Sequence, residues 1–441
     1  MLLYYLLILT LPLMDQRYLA HPFLGFTAEK WLGLACFAYA LFDWAMHRRR
    51  AALMASAQVR TFLVFFLLAL LSYCTIAARG PGSMMLVYTS NLLFLVTTVI
   101  LVRTVERLRW TLLAATASMA LASVYMIRDW LAGSAVYGAG YRPGYVAGDP
   151  NYFTASVLVI LPFAFCVLAE RRSRLLRLYC LAALGLTLWA VMLTASRGGF
   201  LGLVAAGLYL IARSRHRWRN FAGATVLLAL ALAFAPKTPL QRLLHPTSGD
   251  RQSSHDRLIL WGAGLRMVAA HPMAGIGLDN FKPELPRYTS PGTTIDFIAH
   301  NTYIEIAAAM GLPGILAFLA ILFFTFRSLR RSRRLARPLD AEWIYLAASG
   351  LETGMVGFCL AIFFLSAAFL KLLWFAVFIS AVLPPLLAQT AAVPEEEAEA
   401  ALVPDPAAAA YWPVAADIAG PWDEGDPWSW ATQAFQAEPE A

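Results

Sequence analysis

The chain has 441 residues, of which 60% are hydrophobic and only 14% are charged. A soluble domain carries about 25% charged residues, and its apolar residues are spread at helix or strand period. Here the apolar residues form long unbroken runs, and a run of about 20 residues crosses the ~30 Å hydrocarbon core of a bilayer. The composition therefore excludes an ordinary soluble protein and predicts an all-α polytopic membrane protein.

The formal net charge of +8 is the sum of a basic segment, residues 1–388, and an acidic segment, residues 389–441. Residues 389–441 hold many Asp and Glu residues but no Lys or Arg, and their Ala- and Pro-rich composition has too little apolar surface to pack. We predict an acidic, disordered cytoplasmic tail there, with a short docking motif around its Trp residues as the alternative. Residues 1–388 hold all the basic residues, and such an excess in a membrane protein reflects topology rather than nucleic-acid binding.

Apolar runs between charged loops predict twelve membrane spans, of which the first and the eighth are short. The first run lacks a positive n-region and a cleavage site, so we interpret it as a retained span rather than a signal peptide. All five cysteines lie in apolar runs, which predicts neither a disulfide framework nor a zinc site. The predicted spans lie near residues 2–14, 31–46, 61–78, 84–102, 110–127, 152–169, 178–195, 199–212, 221–235, 302–326, 342–365 and 368–388.

The orientation follows from the basic residues in the loops. With the N-terminus inside, the even-numbered loops contain HRRR, RTVERLR, RRSRLLR, RSRHRWR and RSLRRSRRLAR, which together hold most of the 35 Lys and Arg residues. Short cytoplasmic loops carry such an excess, whereas long loops cross regardless of charge. We therefore expect both termini in the cytoplasm and one long extracytoplasmic loop, residues 236–300, that carries short helices.

Arg197 lies in a very short outer turn between spans seven and eight. A tight turn between membrane helices explains the glycines of the SRGG sequence but not the arginine. An arginine at the membrane edge is unfavourable unless it pairs, reaches the interface or serves a function. Interfacial placement of the guanidinium is the simpler alternative.

The long loop contains a predicted amphipathic helix lying at the outer interface. Its start is expected within Ser253–Arg257, where Ser and Asp side chains can cap free N–H groups, and its end just before Pro272. Trp261 is expected at headgroup depth. Arg257 and Arg266 are its cations, and contact with anionic headgroups is the simpler explanation for Arg266. The predicted apolar stripe consists of Leu258, Trp261, Leu265 and Val268.

His300 directly precedes the tenth span. Thr302 and Glu305 fit a capping box, so Thr302 is the predicted N-cap. The positive end of a helix disfavours imidazolium, so His300 is expected to be neutral and able to accept a proton near pH 7. A merely hydrogen-bonded interfacial histidine is the alternative. Further along, Gly311 and the proline that follows predict a kink or close packing.

Three outward cations and one histidine at a membrane boundary indicate a phosphate-bearing lipid substrate. The guanidinium fork binds diphosphate oxygens well, and a positioned histidine can deprotonate an attacking hydroxyl. The outer loops contain no D-x-D motif, so we expect no bound metal, and no nucleotide-binding glycine loop is present.

At these residues the chain resembles the bacterial O-antigen ligase and O-antigen polymerase superfamily, over residues 145–330. Each motif alone is weak, and the resemblance depends on their order, spacing and outer placement. The motifs are Gly148-Asp149-Pro150-Asn151, Arg197-x3-Leu201, Arg257-x3-Trp261, HPMAGIGLDNF ending at Phe281, and His300-Asn301-x9-Gly311-x2-Gly314.

The resemblance implies a GT-C-like fold in residues 1–388 and metal- and cofactor-independent transfer of a glycan from undecaprenyl diphosphate. Arg197 and Arg257 match arginines that hold the diphosphate, and His300 matches the histidine that orients or deprotonates the acceptor hydroxyl. The implied partners are the lipid-linked donor, a lipid A core or other glycan acceptor, and membrane lipids. The further candidate substrate-binding residues are Arg266, Asn301, Asn151 and Trp261.

Four other functions remain as alternatives. A glycan polymerase shares the same motifs, although a ligase is favoured. A protein O-oligosaccharyltransferase usually has a sizeable domain after the last span, where this chain has only a short acidic segment. A transporter would place ionisable groups at the bilayer midplane and show repeated halves, and neither pattern is seen in the sequence. A structural scaffold leaves Arg197 and His300 unexplained.

Overall fold

The computed structural model describes residues 1–11, 27–47, 56–76, 80, 83–137, 141–143, 149–170, 173–213, 217, 218, 221–223, 225, 226, 229, 242 and 244–391. These ranges contain helices, two 3-10 turns and no strand, which confirms the all-α prediction. The helices are α1 (Leu2–Thr10), α2 (Ala28–His47), α3 (Ala57–Thr75), α4 (Ser83–Leu101), α5 (Val105–Tyr137), α6 (Pro150–Ala169), α7 (Arg174–Thr194), α8 (Arg197–Ala212), α9 (Ser248–Ala270), α10 (Phe281–Glu284), α11 (Thr302–Ala336), α12 (Glu342–Ala361) and α13 (Lys371–Ala391).

Eight helices within the described ranges are long and apolar enough to cross a membrane, namely α3 to α7 and α11 to α13. Helices α1, α2 and α8 also coincide with predicted spans but are shorter or more polar. The ninth predicted span, 221–235, and the acidic tail, 389–441, fall mostly outside the described residues. The chain is a polytopic membrane protein, and the count of twelve spans stays a prediction.

Small residues allow α6, α8 and α12 to pack closely in the bundle. A Cβ added to Gly354 of α12 would lie 2.3 Å from the carbonyl oxygen of Val159 in α6. Gly202 of α8 and Gly357 of α12 face each other, each 2.6 Å from the other's carbonyl oxygen by the same measure. Such close approach is typical of membrane helix association. It brings the starts of α6 and α8 next to the end of α12.

The helix in the long loop is longer than predicted. It begins at Ser248 rather than within Ser253–Arg257, because Thr247 and Asp250 form a capping box. The Asp250 N–H donates to the Thr247 hydroxyl (3.2 Å), and the Asp250 carboxylate accepts from the Thr247 N–H (3.1 Å). The helix ends at Ala270, before the proline, as predicted.

The side of α9 that other protein groups cover differs from its predicted apolar stripe. Leu258 and Leu265 of the stripe are 64% and 60% exposed, whereas α9 packs against α11 through other residues. An interfacial, lipid-facing stripe stays a prediction. The buried positions of the helix are Asp250, Leu260, Ala263, Gly264 and Met267.

Helix α11 is capped by Asn301 rather than by Thr302. The Asn301 side-chain oxygen accepts from the two backbone N–H groups of the first turn, at 3.0 and 3.1 Å. The Thr302 hydroxyl instead donates to the Leu365 carbonyl (2.6 Å) and accepts from the Ala367 N–H (2.9 Å). The predicted capping box between Thr302 and Glu305 is therefore wrong, because a tertiary contact uses the hydroxyl.

The predicted kink in α11 is confirmed. Gly311 has φ 67° and ψ −168°, which interrupts the helix, and Pro313 two residues later has no N–H to donate. The N–H of Leu312 leaves the helix and donates to the Pro272 carbonyl at 2.7 Å. Segment 272–277 of the long loop therefore lies directly against the break.

The long loop replaces the hydrogen bonds that the break removes. The Ile276 N–H donates to the Ala308 carbonyl (2.8 Å), and the Gly277 N–H donates to the Ala309 carbonyl (3.0 Å). In an unbroken helix these carbonyls would accept from residues 312 and 313. The loop is thus joined to the bundle through main-chain groups.

Gly311→Ala is expected to destabilise the protein by about 1–3 kcal/mol, because a side chain at positive φ is strained. The added Cβ would also lie 2.6 Å from the Pro272 carbonyl oxygen. Thermal unfolding of the detergent-purified protein measures the effect. Gly207→Ala in α8 is the matched control, because its Cβ would meet no atom within 4 Å. Equal unfolding midpoints for the two variants would contradict the account of the break.

Candidate active site

A cavity of about 320 Å³ lies where α6 and α8 begin, beside α9 and the end of α12. Four of the predicted site residues line it, namely Asn151, Arg197, Arg257 and His300. They come from the start of α6, the start of α8, the middle of α9 and the segment before α11. The other charged or hydroxyl-bearing residues of its wall are Arg142, Asp149, Ser196, Arg242 and Ser253.

Arg197 is positioned by the turn between α7 and α8. Ala195 adopts φ 49°, and the Ser196 hydroxyl then caps α8 by accepting from the Gly199 N–H at 3.2 Å. The Arg197 Nη2 donates to the main-chain carbonyl of Asp250 (3.3 Å) and lies 3.8 Å from its carboxylate. The predicted outer-turn arginine is therefore directed toward the long-loop helix.

Arg257 and His300 present unpaired nitrogens. Nε of Arg257 and Nδ1 of His300 are buried and have no hydrogen-bond partner among the residues described. Buried polar atoms are usually satisfied, so such a pair indicates that a ligand or water completes the site.

His300 is held by its neighbours in the chain. Its backbone is left-handed, with φ 49°, and Asn301 after it caps α11. The Trp261 indole N–H donates to the Ala299 carbonyl before it at 3.0 Å, and the Trp261 ring packs edge-on against Phe363. Trp261 therefore links α9, which carries Arg257, to the histidine.

The electrostatic field of the cavity favours a neutral histidine. Burial and the neighbouring Arg257 charge lower the pKa of His300 below 6.5, although Asp149 acts in the opposite direction. Burial and the Arg197 charge likewise lower the pKa of Arg257. Arginine nevertheless remains charged in proteins. The cavity therefore combines fixed positive charge with a base that is unprotonated near neutral pH.

Two arginines of the cavity were not among the predicted site residues. Arg142 precedes α6, and its Nε donates to the Thr194 carbonyl at 2.8 Å. Arg242 donates from Nη1 to the Ala195 carbonyl at 2.7 Å. Arg142 lies in a short outer loop under the charge-derived topology, which is the signal that identified Arg197. Arg242 has no pattern that distinguishes it from other basic residues of the long loop.

Two carboxylates offset part of this charge. Asp250 is 2% exposed and forms a short ion pair with Arg242. Burial alone would raise the pKa of Asp250, but hydrogen bonds from Arg242 and Thr247 lower it to about 2. Asp149 caps α6 by accepting from the Asn151 N–H at 2.8 Å. Gly148, which precedes it in the motif, lies outside the described residues.

The other three candidate residues do not line the cavity. Trp261 and Asn301 position its wall, as described above. Arg266 lies further along α9, where its Nε donates to the Tyr288 carbonyl at 2.9 Å.

No group of three or more His, Cys, Asp or Glu side chains in the described part of the chain is arranged to hold a metal ion. Metal independence stays a prediction.

The fold and the cavity define a polytopic membrane protein with a cluster of arginines and a neutral histidine in one pocket. Residues 181–319 match the family described as O-Antigen ligase. The chain is also 30% identical over 220 residues to a protein named O-antigen ligase from Pseudomonas aeruginosa. That match covers 49% of this chain and 50% of the relative, so the chain spans about half the length of the relative it matches. The matched region of this chain is therefore similar to the O-antigen ligase family.

Asp250→Asn is expected to lower the free energy of unfolding by about 3 kcal/mol, because removing one partner leaves the Arg242 charge uncompensated. The change also weakens the capping box of α9. Thermal or denaturant unfolding of the purified protein measures the loss. Asp256→Asn on the same helix is the control, because Asp256 accepts a hydrogen bond of 2.7 Å from the exposed Gln252 and forms no ion pair with a described residue. Similar losses for both variants would argue against a structural role for the Arg242–Asp250 pair.

Proposed function

We propose that the protein is a glycosyltransferase that moves a glycan from undecaprenyl diphosphate to a hydroxyl of the lipid A core. One observation carries this proposal. Arg197, Arg257 and His300 meet in a single cavity, and both Arg257 and His300 have a buried nitrogen that no described residue hydrogen-bonds. The similarity of this chain to the O-antigen ligase family supports the same reaction class.

The reaction follows from the chemistry of these groups. The acceptor hydroxyl attacks the anomeric carbon of the donor, and its proton passes to the neutral imidazole of His300. A new C–O bond forms as the bond to the diphosphate breaks, which inverts the anomeric centre. The undecaprenyl diphosphate leaves with the electron pair. Arg197 and Arg257 stabilise its developing negative charge, and no metal or other cofactor takes part.

The proposed location is the inner membrane of a bacterium, with the cavity on the periplasmic face and both termini in the cytoplasm. The basic loops between predicted spans support this orientation. Reporter fusions give the test. A fusion within 285–295 should be active only as a periplasmic reporter, and a fusion after residue 391 only as a cytoplasmic one. The reverse pattern would invert the topology and remove the periplasmic mechanism.

A glycan polymerase is the second candidate, because the same cavity could serve another lipid-linked glycan as acceptor. Deletion of the gene separates the two on a lipopolysaccharide gel. Lipid A core without any attached glycan, together with accumulated lipid-linked polymer, supports a ligase. Core that bears a single repeat supports a polymerase, and an unchanged pattern would exclude both lipopolysaccharide functions.

Arg197→Ala and His300→Ala are each expected to reduce glycan transfer about 10²–10³-fold, because each removes a group that acts on developing charge or on the proton. Transfer is measured in deletion cells that express each variant at equal membrane levels. Arg251→Ala, at an exposed position of α9 that does not line the cavity, is the control and should retain normal transfer. Near-normal product from both cavity variants would refute the mechanism.

The acid limb of the pH profile of kcat/KM is expected below pH 6.5. The neutral base is present only above the pKa of His300, and burial and Arg257 hold that pKa low. Arg257→Gln removes a positive charge, so the limb of its residual activity should move to higher pH, whereas Arg257→Lys should leave it nearly in place. If the pH midpoint of the acid limb does not change with the charge at position 257, the result would argue against His300 as the base.

A further inference from the structure

The arginines of the cavity differ in how far the protein itself satisfies them. Arg242 forms an ion pair with Asp250 and donates to the Ala195 carbonyl, so its guanidinium group already has partners within the protein. Arg197 also faces Asp250, at 3.8 Å. Arg142 has no carboxylate partner among the described residues and donates only to two neutral oxygens. These are the Thr194 carbonyl (2.8 Å) and the Asn151 side chain (3.4 Å).

Arg142 is held in place rather than free at the surface. The preceding residue, Tyr141, donates from its hydroxyl to the Asp129 carboxylate at 3.2 Å. The Tyr141 ring stacks on Tyr137, with centroids 5.6 Å apart, and packs on Gly133, where a Cβ would lie 2.1 Å from it. The end of α5 thus forms a platform that directs Arg142 to the cavity.

The charges of the wall do not balance without a ligand. Arg142, Arg197, Arg242 and Arg257 line the cavity together with one carboxylate, Asp149. Asp250 is not in the wall but pairs with Arg242, so among the described residues these four cations and two carboxylates leave an excess of two positive charges. Half-buried charge of one sign is unfavourable without a counter-ion. A diphosphate diester carries one negative charge on each phosphate, so it supplies the two charges that are missing.

We propose that Arg142 is a third diphosphate-binding residue, which contacts the phosphates from the α6 side while Arg257 contacts them from the α9 side. This inference rests on the proposed function, because it takes the lipid-linked donor as the ligand. Thr194 and Asn151 orient the guanidinium through Nε and one Nη, which leaves Nη1 without a hydrogen bond to any described residue. Guanidinium groups bind phosphate oxygens in this way.

The test measures binding of geranyl diphosphate and of inorganic diphosphate to the purified full-length protein. Arg142→Gln is expected to weaken both ligands about 10–100-fold, the usual effect of losing a charged hydrogen bond. The affinity of Arg142→Lys should lie between those of the wild type and Arg142→Gln, because lysine keeps the positive charge but lacks the planar guanidinium fork. Arg251→Gln, at an exposed position of α9 that does not line the cavity, should bind like the wild type. Unchanged affinity in both Arg142 variants would overturn the proposal.

Two further measurements separate misfolding from loss of binding and this inference from the proposed function. Each variant is compared with the wild type by unfolding midpoint, and Arg142→Lys serves if the glutamine variant does not fold. If Arg197→Gln weakens binding and neither Arg142 variant does, the inference fails while the glycosyltransferase proposal stands. If Arg142 is needed for binding but the protein transfers no glycan, the diphosphate site stands and the proposed function fails. A wild type that binds no diphosphate overturns both.

Discussion

The carbonyls of Ala308 and Ala309 would have no partner within α11, because Gly311 leaves the helical conformation and Pro313 has no N–H. An unsatisfied carbonyl at membrane depth is strongly unfavourable, so the break is tolerated only where other protein groups reach it. Ile276 and Gly277 supply those groups. The segment that contains Ile276 and Gly277 directly follows α9. Its hydrogen bonds to α11 therefore also fix the position of α9 along the bundle. The place of Arg257 relative to His300 therefore depends on a main-chain interaction that is remote from both.

A second constraint is the concentration of positive charge that this packing creates. Asp250 reduces the repulsion, since it pairs with Arg242, receives Arg197 at its main-chain carbonyl and caps α9 through Thr247. One buried carboxylate thus connects the turn before α8 to the start of the long-loop helix. Structure and site share this group, because the arginines that could bind a diphosphate are also the ones that hold the loop in position.

The sequence predicted the helices well and the site in part. Apolar runs have a length that only membrane helices need, so the spans that fall in the described ranges coincide with real helices. Arg197 and His300 could be found because a charge-derived topology predicts that both face outward. The buried side of α9 and the cap of α11 could not be found, because each depends on a tertiary partner. Helix α9 is covered where it packs against α11, and the Thr302 hydroxyl bonds Leu365 rather than its own helix.

The proposed reaction also keeps the cavity neutral at each stage. Before transfer, the two charges of the donor diphosphate match the excess of two positive charges that remains after Asp149 and Asp250 are counted against the four arginines. As the glycosidic bond forms, the leaving diphosphate gains one negative charge, and His300 gains one positive charge with the acceptor proton. Arg257 lowers the proton affinity of His300 in the empty site, but the bound diphosphate offsets that charge. The histidine would therefore become a stronger base once the donor is bound, which favours an order in which the donor enters before the acceptor loses its proton.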